Sequence, residues 1–156
     1  MITIRRAEKR DFDDIARLLR QVLEIHVALR PDIFVSGGKK YSDEELLSII
    51  GNDEKPVFVA DNGARVVGYA FCIFVRRNPS ESTRGFTTLF VDDLCVDESC
   101  RGQHIGEKLF EYVKNYAKNA NCYDVALNVW EGNDAAKHFY AKMGMFPKET
   151  QMEFIL

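Results

Sequence analysis

The 156-residue sequence has little cysteine and no histidine cluster. Four cysteines are too few for a disulfide scaffold, and Cys72, Cys95, Cys100 and Cys122 include no C-x-x-C pair. We therefore expect free thiols in a reducing compartment. The three histidines are not at metal-ligand spacing either, so we expect no metal cofactor.

Long apolar runs and an excess of positive charge are also missing. No stretch approaches the roughly 20 apolar residues that a membrane-spanning helix requires. The N-terminal charges at 5–6 precede no apolar run of the kind found in a signal peptide. We expect a cytoplasmic protein with no membrane partner. The net charge of −3 argues against a nucleic-acid partner, because such proteins are usually basic, and leaves room for a cationic substrate.

What is present is the composition of an ordinary globular domain, with 46% hydrophobic and 29% charged residues. A chain of this length can bury roughly 68–70% of the surface that it exposes when unfolded. No repeat, low-complexity tract or linker divides it. We expect a single domain over residues 1–156.

Hydrophobic spacing and turn residues predict ten elements. Helices are predicted from Phe12 to the residue before Pro31 and at 43–50, 103–120 and 133–143; strands are predicted at 2–5, 56–60, 65–75, 86–96, 124–130 and 149–155. The order β-α-α-β-β-β-α-β-α-β is typical of an α+β domain, in which helices flank a mixed, mostly antiparallel twisted sheet.

The most informative segment is a strand, loop and helix over 92–109, with Arg101, Gly102 and Gly106 at the junction. A helix start offers unpaired N–H groups and the positive end of the helix dipole, and glycines let a bulky anion approach the backbone. These features suit a pyrophosphate. A glycine-rich turn with no ligand is the alternative, because neither a P-loop nor G-x-G-x-x-G is present.

Two motifs in order resemble those of the GNAT superfamily of N-acetyltransferases. Residues 101–106 are similar to its acetyl-coenzyme A loop, [RQ]-x-x-G-x-[GA], with His104 at the position of the middle glycine. Histidine is among the residues that tolerate a positive φ there. The superfamily's later motif, N-x-x-A-x-x-F-Y-x-x-x-G, is matched by Asn133, Ala136, Phe139, Tyr140 and Gly144.

The resemblance implies the GNAT fold and acetyl-coenzyme A as co-substrate. The pantetheine arm is expected to pair with the strand backbone around Leu94 and Val96, where an N–H group would polarise the thioester carbonyl. The pyrophosphate is expected on the loop and first helical turn. The implied cofactor-binding residues are Leu94, Cys95, Val96, Arg101, Gly102, Gln103, His104, Ile105, Gly106, Glu107, Asn133 and Tyr140.

Direct transfer to an amine needs a base, because an ordinary alkyl ammonium has a pKa near 10.4. By similarity to polyamine-type members, Asp92 is the first candidate and Asp93 the second. Neighbours on a strand face opposite sides, so only one should point into the site. The open alternatives are that both acids face solvent or only attract a cation. Tyr140 occupies the general-acid position that would protonate the leaving thiolate, with core packing as its alternative.

The acceptor wall is expected in the first helix and the following loop, with His26, Phe34 and Asp92 as substrate-binding residues. Four acids between Asp92 and Glu98 favour a cationic primary amine: a polyamine, a small amine or a lysine-like side chain. The alternatives are a peptide amine, as for ribosomal-protein N-terminal acetyltransferases, and a non-catalytic acyl-coenzyme A-binding module. Homodimers are common in the family, and the oligomeric state stays open.

Overall fold

A computed structural model describes all residues from 1 to 156. Its sheet contains five strands in spatial order from β1 to β5. All neighbouring strands are antiparallel except β4 and β5, which are parallel. The strands are β1 (Thr3–Arg6), β2 (Val57–Asp61), β3 (Val66–Arg77), β4 (Phe86–Val96) and β5 (Asp124–Leu127). The predicted α+β fold class is confirmed.

Four α-helices join these strands, and their starts follow the local sequence. Ser42 accepts a hydrogen bond from the Glu45 N–H and completes a capping box at α2. Asn133 caps α4 in the same way through the Ala136 N–H. None of the helices has the length and apolar character needed to cross a bilayer. The helices are α1 (Phe12–Leu29), α2 (Asp43–Ile49), α3 (Ile105–Asn119) and α4 (Asp134–Lys142).

Helices cover both faces of the sheet, so the core has two layers. On one face, Ile15, Leu18 and Val22 of α1 pack against inward side chains of β2 and β3. On the other face, the apolar stripe of α3 packs against β2, β3 and β4 through Ile105, Leu109, Val113 and Ala117. These helical residues recur every three or four positions, which is why the stripe stays on one side.

A bulge in β4 breaks the expected alternation at the acid pair. Cys72 pairs with Val91 and Phe71 pairs with Asp93, so Asp92 is an extra residue without a partner on β3. After a bulge the side chains exchange faces. Asp92 and Asp93 therefore do not take opposite faces as a regular strand would require.

The sheet splits beside this bulge. The parallel ladder between β4 and β5 covers only Thr88–Val91 against Asp124–Leu127. β5 ends at Leu127, three residues before the predicted end at Trp130. The final stretch of β4 thus has no strand neighbour on that side, and its backbone borders an opening.

The predicted closing strand at 149–155 is wrong. After Met145, whose N–H donates to the Tyr140 carbonyl, no residue of the tail makes a backbone–backbone hydrogen bond. Every residue from 149 to 156 is exposed. Alternating polarity favours a strand, but a strand forms only where a neighbour supplies the ladder hydrogen bonds.

Candidate active site

The loop before α3 has the backbone shape of an anion-binding turn. Gly102 and His104 both have left-handed conformations, with φ of 80° and 61°. His104 precedes the helix, and its side chain caps no N–H group. The N–H groups of Ile105, Gly106 and Glu107 have no acceptor within the chain. They form an unpaired, electropositive cluster that fits a pyrophosphate.

Gly106 and Glu107 tie this turn to α4. A side-chain carbon at Gly106 would lie 3.3 Å from the Phe139 ring, so glycine permits the close approach of α3 and α4. The Glu107 carboxylate accepts a hydrogen bond from Lys142 of α4 at 2.6 Å and lies 3.2 Å from His104 Nδ1. These contacts hold the first turn of α3 against the helix that carries Tyr140.

Buried Asp97 fixes the end of β4 just before the loop. Its carboxylate accepts hydrogen bonds from Arg17, Arg65 and the Ser99 N–H and hydroxyl. Burial opposes ionisation, but the hydrogen bonds from Ser99 and Arg17 hold the pKa of Asp97 well below its usual range. Asp97 therefore stays charged and joins α1 to the turn that leads to Arg101.

A cleft of about 560 Å³ brings two predicted cofactor residues together. Arg101 of the loop and Asn133 at the start of α4 both line it. Since the Asn133 carbonyl oxygen caps α4, its amide NH₂ group remains available to a ligand. The other lining residues are Gln21, Glu24, Ile25, Ala28, Leu29, Glu98, Gly132, Asp134 and Ala135.

The last residues of β4 supply backbone rather than reactive side chains. Leu94 and Val96 are half-buried beside the opening in the sheet. Cys95 is buried in the layer under α1, with its Sγ 3.9 Å from the Leu18 carbonyl oxygen. Burial raises the pKa of the Cys95 thiol to about 12, so it stays protonated. Its predicted role is therefore restricted to its backbone groups.

The two acids of the pair have different surroundings. Asp93 is half-buried and accepts a 2.8 Å hydrogen bond from the Tyr69 hydroxyl. Burial raises the pKa of Asp93, and the positive charge of Lys40 partly offsets the shift. Asp92 is more open, and its Oδ2 accepts hydrogen bonds from Lys40 Nζ at 2.9 Å and from the Tyr41 hydroxyl at 3.2 Å.

Tyr140 is half-buried in an aromatic setting on α4. Its ring centroid lies 5.1 Å from that of Phe139 and 6.0 Å from that of Phe110. Burial raises the pKa of the Tyr140 phenol well above its usual value, and the negative charge of Asp93 adds to the shift. The phenol is thus protonated at neutral pH, as a proton donor must be.

Aromatic side chains pack together where the acceptor wall is predicted. The rings of His26 and Phe34 lie 5.0 Å apart, and Phe34 meets Trp130 edge-on at 5.7 Å. The Arg30 guanidinium lies 5.6 Å from the Trp130 ring centroid. Burial lowers the pKa of His26, although the charge of nearby Asp93 acts in the opposite direction.

Three residues of the site have no clear sequence signal. Lys40 and Tyr41 lie in a polar loop with Gly37 and Gly38 and resemble solvent-exposed residues. Tyr69 lies in an apolar run of β3, where the only hint is a hydroxyl that must find a partner when buried.

The chain is similar in sequence to known acetyltransferases. The family model described as the acetyltransferase (GNAT) family matches residues 19–145. Thialysine N-epsilon-acetyltransferase from Mus musculus is 30% identical over 152 residues, which cover 90% of this chain and 82% of the relative.

Solved structures share the whole fold. A crystal structure of a mutant BH1408 protein from Bacillus halodurans superimposes with a TM-score of 0.94 at 32% identity and covers 99% of both chains. The aminoglycoside N-acetyltransferase AAC(6')-Iy in complex with CoA superimposes with a TM-score of 0.73 at 17% identity. That match covers 100% of this chain and 95% of the other.

Proposed function

Because the chain belongs to the acetyltransferase (GNAT) family and is an acetyl-coenzyme A-dependent N-acetyltransferase, we propose that its acceptor is a primary amine on a small cationic molecule. The acceptor class comprises polyamines, small diamines and lysine-like amines. One observation carries the proposal: the Lys40 ammonium occupies the acid pair, 2.9 Å from Asp92 Oδ2. The pair therefore has room for a primary ammonium and the charge to bind it.

The relative that acetylates the epsilon amine of thialysine supports a flexible aliphatic acceptor. An acceptor with its amine at the acid pair would extend its carbon chain along His26 and Phe34. Those rings offer apolar surface beside the charged site, which suits methylene groups.

A small acceptor is favoured over a peptide because the loop after α1 packs against Asp92. Lys40 and Tyr41 of this loop both contact Asp92. A peptide acceptor would need an open groove at this position. Family membership removes the alternative of a non-catalytic acyl-coenzyme A-binding module, since the chain is an enzyme.

Asp93 is the base in this proposal, which reverses the order that the family resemblance suggests. A base works best when its pKa approaches the working pH, and burial moves the pKa of Asp93 in that direction. Its charge also acts on His26 and Tyr140, so it lies among the groups of the site. Asp92 then attracts the acceptor, and Asp93 removes its proton directly or through water.

The remaining roles follow from the cleft and the opening in the sheet. When bound, the co-substrate supplies the thioester. Tyr140 would protonate the departing thiolate, and an N–H group at Leu94 or Val96 would polarise the thioester carbonyl. Arg101 and the free N–H groups at the start of α3 would hold the pyrophosphate, with Asn133 beside the pantetheine.

We also propose a homodimer in which the C-terminal tail of one copy pairs with the open edge of β5 in the other. The tail carries four exposed apolar side chains, Met152, Phe154, Ile155 and Leu156, and Met152, Phe154 and Leu156 are each more than 80% exposed. β5 is an edge strand with one unpaired side. An exposed apolar segment and an unpaired strand edge favour pairing between copies.

Thiol release from acetyl-coenzyme A tests the acceptor class. We expect turnover with 1,3-diaminopropane, 1,5-diaminopentane and lysine, and competitive inhibition without turnover by their fully N-methylated analogues, which bind as cations but cannot be acetylated. A preference for peptides with a free N-terminus would contradict the small-amine proposal. An absence of turnover with every primary amine would overturn it.

A further inference from the structure

Lys40 has the chemistry of the proposed acceptor. Its side chain ends a four-carbon chain with a primary ammonium, which donates to Asp92 at 2.9 Å and lies 5.4 Å from the Tyr41 ring centroid. Burial disfavours the charged form of the Lys40 amine. The hydrogen bond to Asp92 and the charge of Asp93 nevertheless raise the pKa of Lys40 above its usual value.

The preceding lysine provides a contrast. Lys39 pairs with Asp43 at 3.2 Å in an i,i+4 surface contact, and its side chain is 64% exposed. The Lys40 side chain is 39% exposed and faces both acids of the site. Two adjacent lysines in one loop therefore have different environments, one in solvent and one at the acid pair.

We propose that Lys40 is an internal acceptor, whose ε-amine is acetylated in the enzyme's own active site when no external amine is present. This inference rests on the proposed acceptor site at Asp92 and Asp93. The loop has already placed a primary ammonium there, so no second molecule has to bind.

The groups of the site and water account for every proton and bond in this acetyl transfer. Asp93 takes one proton from the Lys40 ammonium and passes it to solvent. The free amine forms a C–N bond with the acetyl carbonyl carbon while the C–S bond of the thioester breaks. The nitrogen loses its second proton to water, Tyr140 donates one proton to the sulfur, and the resulting tyrosinate regains a proton from water. The products are acetyl-lysine and free coenzyme A, with no oxidation or reduction.

Acetylation would also change the site. A neutral acetyl-lysine no longer pairs with Asp92, so an external cation would meet an unoccupied carboxylate. We expect Lys40→Gln, which imitates this state, to lower KM for a diamine by roughly fivefold, the worth of a partly exposed ion pair. Lys39→Gln is the matched control and should leave KM unchanged.

The direct test is peptide-mapping mass spectrometry of the full chain, incubated with isotopically labelled acetyl-coenzyme A and no acceptor. We expect label on Lys40 at least tenfold faster than on Lys39, which reports chemical acetylation. Tyr140→Phe should slow labelling of Lys40 alone. The fraction of Lys40 that becomes labelled per unit time should not depend on protein concentration, because the step is intramolecular.

Equal labelling of Lys40 and Lys39, or a Lys40 rate unaffected by Tyr140→Phe, would overturn the inference. So would a fractional rate that rises with protein concentration. A parallel assay with 1,5-diaminopentane separates the two proposals. Turnover of the diamine without labelling of Lys40 rejects the internal acceptor only, whereas labelling of Lys40 without turnover of the diamine rejects only the external acceptor class.

Discussion

The Tyr69 hydroxyl donates a 2.8 Å hydrogen bond to the Asp93 carboxylate and so joins β3 to the half-buried acid of β4. Tyr69 is fully buried, which leaves its hydroxyl no access to bulk water. The bond favours the ionised form of Asp93, whereas burial favours the neutral form. The pKa of the proposed base therefore depends on burial, which raises it, and on the charge of Lys40 and this hydrogen bond, which lower it.

Tyr69→Phe should raise the pKa of Asp93, because it removes a hydrogen bond to the ionised form. The acid limb of the pH profile of kcat/KM should move to higher pH by about 0.5–1 unit, equivalent to roughly 1 kcal/mol. Tyr116→Phe is the control, since Tyr116 contributes ring packing. An unmoved limb in Tyr69→Phe would show that Asp93 does not govern the profile.

Asp93→Asn should lower kcat/KM by about 10²–10⁴-fold, the usual worth of a general base, and remove the acid limb. The base must be ionised, so activity rises with pH through its pKa. Asp92→Asn should keep the limb and raise the acceptor KM by roughly fivefold, because only an ion-pair partner is lost. Loss of the limb in Asp92→Asn instead would make Asp92 the base.

Tyr140→Phe should lower kcat by at least about 10²-fold with little change in KM for acetyl-coenzyme A, since the phenol is needed only as the thiolate leaves. The ring packing on Phe139 and Phe110 is retained. Tyr123→Phe changes an exposed tyrosine and should have no effect. A kcat equal to that of the unmodified enzyme would assign Tyr140 to packing alone.

His104→Gly should stabilise the protein by about 0.5–1 kcal/mol, because glycine adopts a positive φ without steric cost. Asn121 is the other non-glycine residue with a positive φ, so Asn121→Gly should give a similar gain in thermal unfolding. If the His104 side chain crowds the pyrophosphate, only His104→Gly will lower KM for acetyl-coenzyme A. An equal KM in both variants would show that histidine is compatible with tight binding.

Removal of residues 149–156 should convert the proposed homodimer to a monomer, measured by light scattering during size-exclusion chromatography. The expected cause is loss of the exposed apolar side chains of the tail. Phe154→Ser should weaken the dimer in the same direction. A full-length chain that is monomeric at all concentrations would contradict the dimer.

Local sequence was enough to predict most of the helices and strands. The predicted and observed bounds of β4 agree at both ends. Ser42 and Asn133 cap their helices as their side chains predict. These features depend on neighbours a few residues away, through helical periodicity and local hydrogen bonds. The prediction of a closing strand was wrong because a strand also needs a neighbouring strand, and no local sequence pattern supplies one.

By itself, the sequence determined the α+β domain, the loop with Arg101 and its glycines, and the late motif with Asn133 and Tyr140. It did not determine which acid is the less exposed, because the bulge at Asp92 arises from pairing with β3. Nor did it place Lys40 at Asp92, a contact between residues 52 positions apart. Burial and long-range contacts set the charge and pKa of these groups, and only the tertiary structure decides them.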